Sequence, residues 1–493
     1  MSDAFRPYAV MIAPERVDAI IEESLRILEE VGLAVEHDGA LELLRDAGAT
    51  VSSDGRVHLP SSLCRRCLET VPSSFTLYDR SGENPRVVGS NHVHFDPGSA
   101  ALSLYDADRG EIRSATTRDV VQFAILTEQI HAYRIQSTGV VPGDLAASLS
   151  DRFRLLIALA YGTKPVVTGT FVRDGFSPMR AMLEAVRGGA DALARKPLAI
   201  FDCCPTAPLM WSELTCDALI SCARAKIPAE VISMPLPGAA APVTLAGAIT
   251  QHTAENLSGV VIHQLASPGA PIVYGGAPAV FDMRKATTPM GAVETMMIDT
   301  AYARIGKRLG IPVHAYMALS DAKQPDFQAG FETAMGATLA ALCGVNIASG
   351  PGMLVFSGTQ SLEKLLLDGE ICAMADRLLA GIAFREPTAA LEVLKEHAID
   401  RSFITSPHTR KYYREECYFP SELVDRGTQA EWEAAGKPDA LRRAKEKVAA
   451  LLEHPRITQP PSDLLHELEA IMVADARAHG VDRLPDWKFA LEG

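Results

Sequence analysis

Pro165-Val-Val-Thr-Gly-Thr170, Leu198-Ala-Ile-Phe-Asp-Cys203 and Ala229-Glu-Val-Ile-Ser-Met234 are short apolar runs that end in small or polar residues, each followed by a helix-like segment. The same rhythm extends upstream to His92-Val-His-Phe-Asp-Pro-Gly98 and Tyr133-Arg-Ile-Gln-Ser-Thr-Gly139. It extends downstream to Ile272-Val-Tyr-Gly-Gly276, Val313-His-Ala-Tyr-Met317 and Val345-Asn-Ile-Ala-Ser-Gly350. The eight starts are separated by 41, 32, 33, 31, 43, 41 and 32 residues, room for one strand, one helix and two loops each time. Eight such units predict an α/β fold of the (β/α)8 TIM-barrel type over residues 86–380. An open doubly wound sheet is the competing topology, but no Gly-rich dinucleotide turn follows an early strand.

The flanks read differently. Pro14 suits a first helical position, Val17, Ile20, Ile21, Leu25, Leu28 and Val31 recur at helical spacing, and Gly32 suits the stop. A second helix spans about 39–47, and two short strands, 49–52 and 56–59, face each other across Asp54-Gly55. Residues 1–85 are therefore expected to form an α+β extension. Beyond 380 the strand rhythm stops. A charged helical stretch from Glu431 to Leu452, broken near Gly436 and Pro438, and an amphipathic segment from Leu464 to Ala478 predict a helical region over 381–493. It is expected to pack on the barrel exterior or on a second copy, which suggests a homo-oligomer.

Of 493 residues, 47% are hydrophobic and 22% charged, which supplies a large core and excludes wholesale disorder. Lys and Arg number 47 against 61 acids, a net charge of −14, which argues against nucleic acid and anionic membranes as partners. The charge-free stretches Val231 to Ala254 and Thr333 to Leu362 contain Pro235, Pro237 and Pro242, or Asn346 and Gly350-Pro-Gly352, and read as soluble interior rather than membrane spans. Met1-Ser-Asp-Ala-Phe-Arg-Pro7 holds no apolar core of a secretory signal. Nine scattered cysteines, including Cys64-Arg-Arg-Cys67 on a helical segment and Cys203-Cys204 in core or pocket wall, fit a reduced, cytoplasmic protein.

Function in such a barrel belongs at the carboxyl ends of the strands. Those ends carry Phe95, Asp96, Gln136, Thr168, Asp202, Met234, Tyr274, Tyr316, Ser320, Asp321 and Ser349. The set is rich in aromatic, small and amide groups and poor in acid–base pairs. His92 and His94 have HxH spacing, but the fifth and sixth strand ends offer no further ligand, so no metal site is expected. Lys285 and Lys323 follow the sixth and seventh strands as Schiff-base candidates, yet both look loop-borne and solvated. Gly275-Gly276 and Gly350-Pro-Gly352 bring bare backbone to strand ends, and Tyr274, Phe281, Tyr316 and Phe356 are nearby aromatics of the kind that cage a quaternary ammonium ion.

Gly275-Gly-Ala-Pro-Ala279, Met283-Arg-Lys-Ala286, Pro289-Met-Gly-Ala-Val-Glu294 and Ser320-Asp-Ala-Lys-Gln-Pro-Asp-Phe-Gln-Ala-Gly-Phe-Glu332 resemble the trimethylamine methyltransferase family of corrinoid-dependent methyltransferases, as do Gly350-Pro-Gly-Met353 and Trp432-Glu-Ala-Ala-Gly436. The resemblance implies a barrel that moves a methyl group from a methylated amine to the Co(I) of a separate corrinoid (cobalamin) protein, the partner, with no tightly bound cofactor of its own. Trimethylamine enzymes of the family carry pyrrolysine near the position of Met317-Ala-Leu-Ser320, where this chain has standard residues only. The resemblance is therefore to the non-pyrrolysine branch, associated with glycine betaine, proline betaine and carnitine.

The chemistry agrees: Co(I) is a strong nucleophile, and a quaternary ammonium already carries a neutral amine as leaving group, so the site need only exclude water, hold the cation and align it. On this basis Tyr274, Tyr316 and Phe356 are expected to line the cation cage, and Asp321 or Glu332 to offset its charge. Gly275, Gly276, Gly350 and Gly352 would leave room for the corrin ring. Arg284, Lys323, His314 and Gln328 are the candidates for holding a betaine carboxylate. The alternatives are trimethylamine transfer without pyrrolysine, a barrel lyase or aldolase using Lys285 or Lys323, a metal-dependent hydrolase using His92 and His94, and a non-catalytic betaine-binding protein.

Overall fold

The computed structural model describes residues 5–385, 390–398 and 402–491; Met1 to Ala4 of the opening segment lie outside them. All eight apolar runs are parallel strands in chain order: β1 (His94–Asp96), β2 (Gln136–Ser137), β3 (Val166–Gly169), β4 (Ala199–Cys203), β5 (Ala229–Ser233), β6 (Ile272–Gly276), β7 (His314–Tyr316) and β8 (Ile347–Ser349). β2 to β6 form one five-stranded parallel sheet, and β7, β8 and β1 form a second, three-stranded one. Backbone bridges span both gaps between them: Phe95 pairs with Tyr133 beside β2, and Tyr274 of β6 pairs with Val313 beside β7.

Each strand is followed by a helix: α1 (Thr117–Gln129), α2 (Ser150–Tyr161), α3 (Phe176–Arg187), α4 (Glu213–Ala225), α5 (Leu245–Ala266), α6 (Val293–Arg308), α7 (Phe327–Cys343) and α8 (Leu362–Leu379). A parallel strand covered on both faces carries apolar side chains on both, so hydrophobicity does not tell the two apart; the period of two does. Val166, Phe201, Val231, Tyr274 and Ala348 belong to the main core shared with the helices. Val167, Ile200, Val273 and Ile347, of the opposite parity, form a separate apolar cluster with Leu77 and Val88. Those last two come from the antiparallel hairpin Ser74–Leu77 and Arg86–Gly89, which caps this end of the strands.

The amino-terminal extension contains the expected helix, Pro14–Arg26, prolonged by a π-turn at Ile27–Val31. Gly32 ends it at φ +69°, where a Cβ would sit 2.7 Å from the carbonyl oxygen of Val57. Thr50–Val51 and Val57–His58 pair antiparallel as expected. A four-stranded rim that no periodicity announced joins Ser103–Asp106 and Glu111–Ser114 to Met353–Leu354 and Thr359–Gln360. In the carboxyl-terminal region, Ala440–Glu453 packs on α1 and α8, and Ser462–Ala478 on α2 and α3, so these helices do lie on the outer layer. No described helix is long and apolar enough to cross a membrane.

Candidate active site

A cavity of about 350 Å³ opens at the carboxyl ends of the strands, lined by Arg154, Phe171, Asp202, Cys204, Met290 and Tyr316, among others. A larger depression of about 770 Å³ lies elsewhere, between α7, α8 and the segment carrying Leu423 and Arg443. Only the first stands where the strands deliver side chains into a shared interior.

Arg154 enters from α2, a helix otherwise apolar from Leu155 to Tyr161. It is 1% exposed, donates from Nε to the Ser150 carbonyl at 3.2 Å and from Nη1 to the Thr138 carbonyl at 2.7 Å, and lies 4.4 Å over the Phe171 ring. Its Nη2 has no hydrogen-bond partner and its guanidinium no ion pair among the described residues. Burial lowers its pKa to about 10, so it stays charged at neutral pH.

Beneath the cavity the strands place three carboxyls of inward parity. Asp202 of β4 and Glu230 of β5 are register partners on adjacent strands. Asp96 of β1 accepts a hydrogen bond from Ser349 Oγ at 2.6 Å, and that hydroxyl lies 2.9 Å from His314 Nε2. Burial pushes the Asp96 and Glu230 carboxyls well above the ordinary range, and the charge of Asp202 raises Glu230 further. Burial also raises Asp202, opposed by the neighbouring Glu230 carboxyl and by the charge of Arg154. Burial lowers His314 to about 3, so its ring is neutral.

The expected site residues separate sharply. Tyr316 lines the cavity, with its ring nearly perpendicular to that of His314, 5.1 Å away. His314 sits on the inward parity below it, fully buried, and so has no open path to a ligand carboxylate. Tyr274 has the opposite parity: it faces α5 and donates from its hydroxyl to Thr253 Oγ1 at 2.9 Å, so it is core rather than cage. Phe356 stands outside the cavity lining, half-buried, with Lys323 Nζ 4.0 Å over its ring. Lys323 is exposed and donates to the carbonyl of Asp321. Arg284 is 87% exposed and held by Asp282 on its own loop, and Gln328 donates to Glu332 at 2.8 Å. None of Arg284, Lys323 and Gln328 reaches the cavity.

Asp321 and Glu332 are occupied by the protein itself. Asp321 accepts from the Met290 and Gly291 amides at 3.0 and 2.8 Å, and Glu332 accepts from Ser320 Oγ and the Asp321 amide at 2.5 and 2.8 Å. Together they latch the loop after β7 to the loop after β6, which sets Met290 in the cavity wall. The four glycines are likewise packed against protein. A Cβ on Gly275 would meet His314, on Gly276 His252 Nε2 at 2.3 Å, on Gly350 Leu319, and on Gly352 Gln360 Oε1 at 2.0 Å. None of the four lines the cavity.

His92 is exposed while His94 is buried with Nε2 on the Val87 carbonyl, so the two rings do not converge on a metal. No group of three or more His, Cys, Asp or Glu among the described residues is arranged to hold a metal ion. Cys64 and Cys67 are buried free thiols; burial pushes Cys64 to about 12, which removes it as a nucleophile. Arg154, Phe171, Met290 and Glu230 escaped the sequence reading. The one legible signal was a pair of arginines in Asp151-Arg-Phe-Arg154 at the head of an apolar helix.

Parallel strands in chain order, helices outside and a cavity at the strand ends define an α/β protein built to act on a small molecule at that end. The chain belongs to the trimethylamine methyltransferase family, whose model matches residues 2–479. It is 31% identical to a trimethylamine methyltransferase of Desulfitobacterium hafniense (strain DSM 10664 / DCB-2) over 470 residues, 95% of this chain and 94% of that one. It is 32% identical to a trimethylamine methyltransferase of Methanosarcina barkeri over 471 residues, 94% of each chain. A glycine betaine methyltransferase of D. hafniense (strain Y51) is 29% identical over 444 residues, 90% of this chain and 92% of that one. The crystal structure of the M. barkeri monomethylamine methyltransferase superposes with a TM-score of 0.52 at 11% identity, covering 90% of this chain and 89% of that one, and so shares the fold.

Proposed function

We propose that this chain takes a methyl group from a quaternary amine bearing a carboxylate, of the glycine betaine, proline betaine or carnitine kind, and passes it to the Co(I) of a separate corrinoid protein. The observation that carries this reading is the buried, unpaired guanidinium of Arg154 facing a largely apolar cavity. A neutral amine leaves such a charge without a partner, whereas a betaine supplies the carboxylate it lacks. Arg154 thus takes the role the sequence suggested for Arg284, Lys323, His314 or Gln328. Tyr316 and Phe171 offer ring faces to the cation, and Met290 closes the wall.

The same reading takes residues 86–380 as one closed (β/α)8 barrel carrying the site, supported by the bridges at Phe95–Tyr133 and Tyr274–Val313. The loops around the opening expose Leu102, Phe171, Met234, Val243 and Met283, an apolar rim suited to the corrinoid protein, whose cobalt must reach the cavity. The protein's part in the reaction is to orient the N–CH3 bond toward that opening and to exclude water. Two of the relatives named above are trimethylamine enzymes, and trimethylamine is the second reading.

The test is a spectral assay with chemically reduced cob(I)alamin or the cognate corrinoid protein, offering glycine betaine, proline betaine, carnitine, choline and trimethylamine in turn. Methylcob(III)alamin forms with a betaine and not with trimethylamine. A signal with trimethylamine alone defeats the proposal.

A further inference from the structure

We infer that Asp202 is the negative charge that faces the substrate's ammonium group, and that Glu230 is its positioning partner, keeping a proton and donating it to Asp202 so that the pair carries one negative charge rather than two. The inference rests on the quaternary-amine reading and assigns that site's charge to residues other than Asp321 and Glu332.

Asp202 and Glu230 are register partners on neighbouring parallel strands and share the inward parity, so their side chains emerge side by side. Glu230 is fully enclosed, and Asp202 opens partly onto the cavity it lines. Neither oxygen of Glu230, nor Oδ1 of Asp202, receives a hydrogen bond from any N–H or O–H of the described protein. Two adjacent buried carboxylates without donors cannot both ionise; the donor they lack is a proton of their own. Burial and the neighbouring Asp202 charge put that proton on Glu230, while the Arg154 charge favours the ionised form of Asp202.

The other groups around the pair do not change this assignment. Asp96, across the interior on β1, is engaged by Ser349, which in turn contacts the neutral His314 ring. Tyr316 and Cys204 line the same cavity, and Cys203 has the outward parity; burial pushes the first two above their ordinary pKa values, and the neighbouring Cys222 thiol together with burial does so for Cys203, so all three are neutral. Among the described residues Arg154 is the cation facing the cavity, and it has no carboxylate within ion-pair distance. The cavity therefore presents one positive and one negative group that do not neutralise each other directly, which matches the two ends of a zwitterion.

The retained proton also suits the chemistry. As the methyl group leaves, the ammonium nitrogen becomes a neutral amine, so every interaction that favours the cation favours the reactant over the transition state. One negative charge suffices to bind and orient; a second would deepen the reactant well without speeding transfer. Asp202→Asn is thus expected to raise KM far more than it lowers kcat.

The test is calorimetric titration of the full chain with glycine betaine and with 3,3-dimethylbutanoate, which has the same shape and carboxylate but carbon in place of the charged nitrogen. The wild type binds glycine betaine more tightly, by about 30-fold or more, the loss typical of removing one partner of a buried charge pair. Asp202→Asn brings the two affinities within about threefold of each other, and unchanged binding of 3,3-dimethylbutanoate shows that the cavity is intact. Glu230→Gln keeps the preference at neutral pH. It also removes the rise in betaine affinity that the wild type shows as alkaline pH strips the shared proton. An Asp202→Asn protein that keeps the wild-type preference overturns the inference, as does loss of the preference in Glu230→Gln. Equal binding of both probes by the wild type removes this inference alone; binding of neither removes the proposed substrate class with it.

Discussion

Two pairs of buried carboxyls lie near the carboxyl ends of the strands and are put to opposite uses. Asp321 and Glu332, in the loop after β7 and on α7, accept hydrogen bonds from two backbone amides, a hydroxyl and a third amide. Asp202 and Glu230, on β4 and β5, leave three of their four oxygens without a donor among the described residues. A carboxylate saturated by its own protein is a fastener. One left unsaturated beside a cavity has unmet electrostatic demand that a ligand can meet. The Ser320–Glu332 block carries the clearest sequence resemblance, yet its acids hold the wall and do not line the cavity.

The largest expected effect falls on the cavity side. Arg154→Met lowers kcat/KM for glycine betaine by about 100-fold, within the range for losing a buried charged hydrogen-bond partner. Any transfer from choline, which has no carboxylate, changes by less than about threefold. Equal losses on both substrates would show that Arg154 is only structural.

Tyr274 and Tyr316 sharpen the contrast between the two parities. Tyr274→Ala empties a fully buried site and costs about 3–5 kcal/mol of stability, read by denaturant unfolding, with little change in betaine affinity. Tyr316→Ala weakens betaine binding about tenfold by calorimetry and destabilises less. The reverse pattern would invert the assignment of the two faces.

On the fastener side, Asp321→Asn replaces one of two acceptor oxygens with an amide that cannot accept, stranding the Met290 or Gly291 amide, and costs about 1–3 kcal/mol by denaturant unfolding. Burial holds the Asp321 carboxyl up at about 6, above its unfolded value. The folded state therefore binds the proton more tightly, and this group's contribution to stability is full at about pH 4 and lost as pH rises through about 6. The deficit of Asp321→Asn relative to wild type should accordingly be larger at pH 4 than at pH 7; a pH-independent deficit would contradict this.

The smallest effect lies at the periphery, where His479 bridges Asp174 and the Asp475 carbonyl at 2.6 and 2.9 Å. These hydrogen bonds raise its pKa, so its contribution is present below about pH 6.5 and fades above. His479→Gln should lower Tm by under about 2 °C at pH 6 and by less at pH 8.

Much of the scaffold was legible because each strand is a dense apolar run between turn residues at near-regular spacing. All eight runs, the opening helix ending at Gly32 and the outer carboxyl-terminal helices are where those signals put them. The site was less legible, for a physical reason. Strands buried on both faces give Tyr274 and Tyr316 the same apolar setting, and only the register separates the ring that lines the cavity from the ring in the core. Gly275 and Gly276 looked open in sequence, but a missing side chain says nothing about what fills the space, here His314 and His252. Arg154 comes from a helix, and strand-end patterning carries no signal for a side chain delivered from there. The rim strands at Ser103–Asp106 and Thr359–Gln360 pair across about 250 residues, a distance that local patterning cannot bridge.

The most direct test of the account is a crystal structure of the protein with glycine betaine bound. The account places the carboxylate on Arg154 Nη2 and the trimethylammonium group between the Tyr316 ring and Asp202, with one methyl directed to the open mouth. Density for the ligand beside Lys323 and Glu332, or in the depression between α7 and α8, would contradict it.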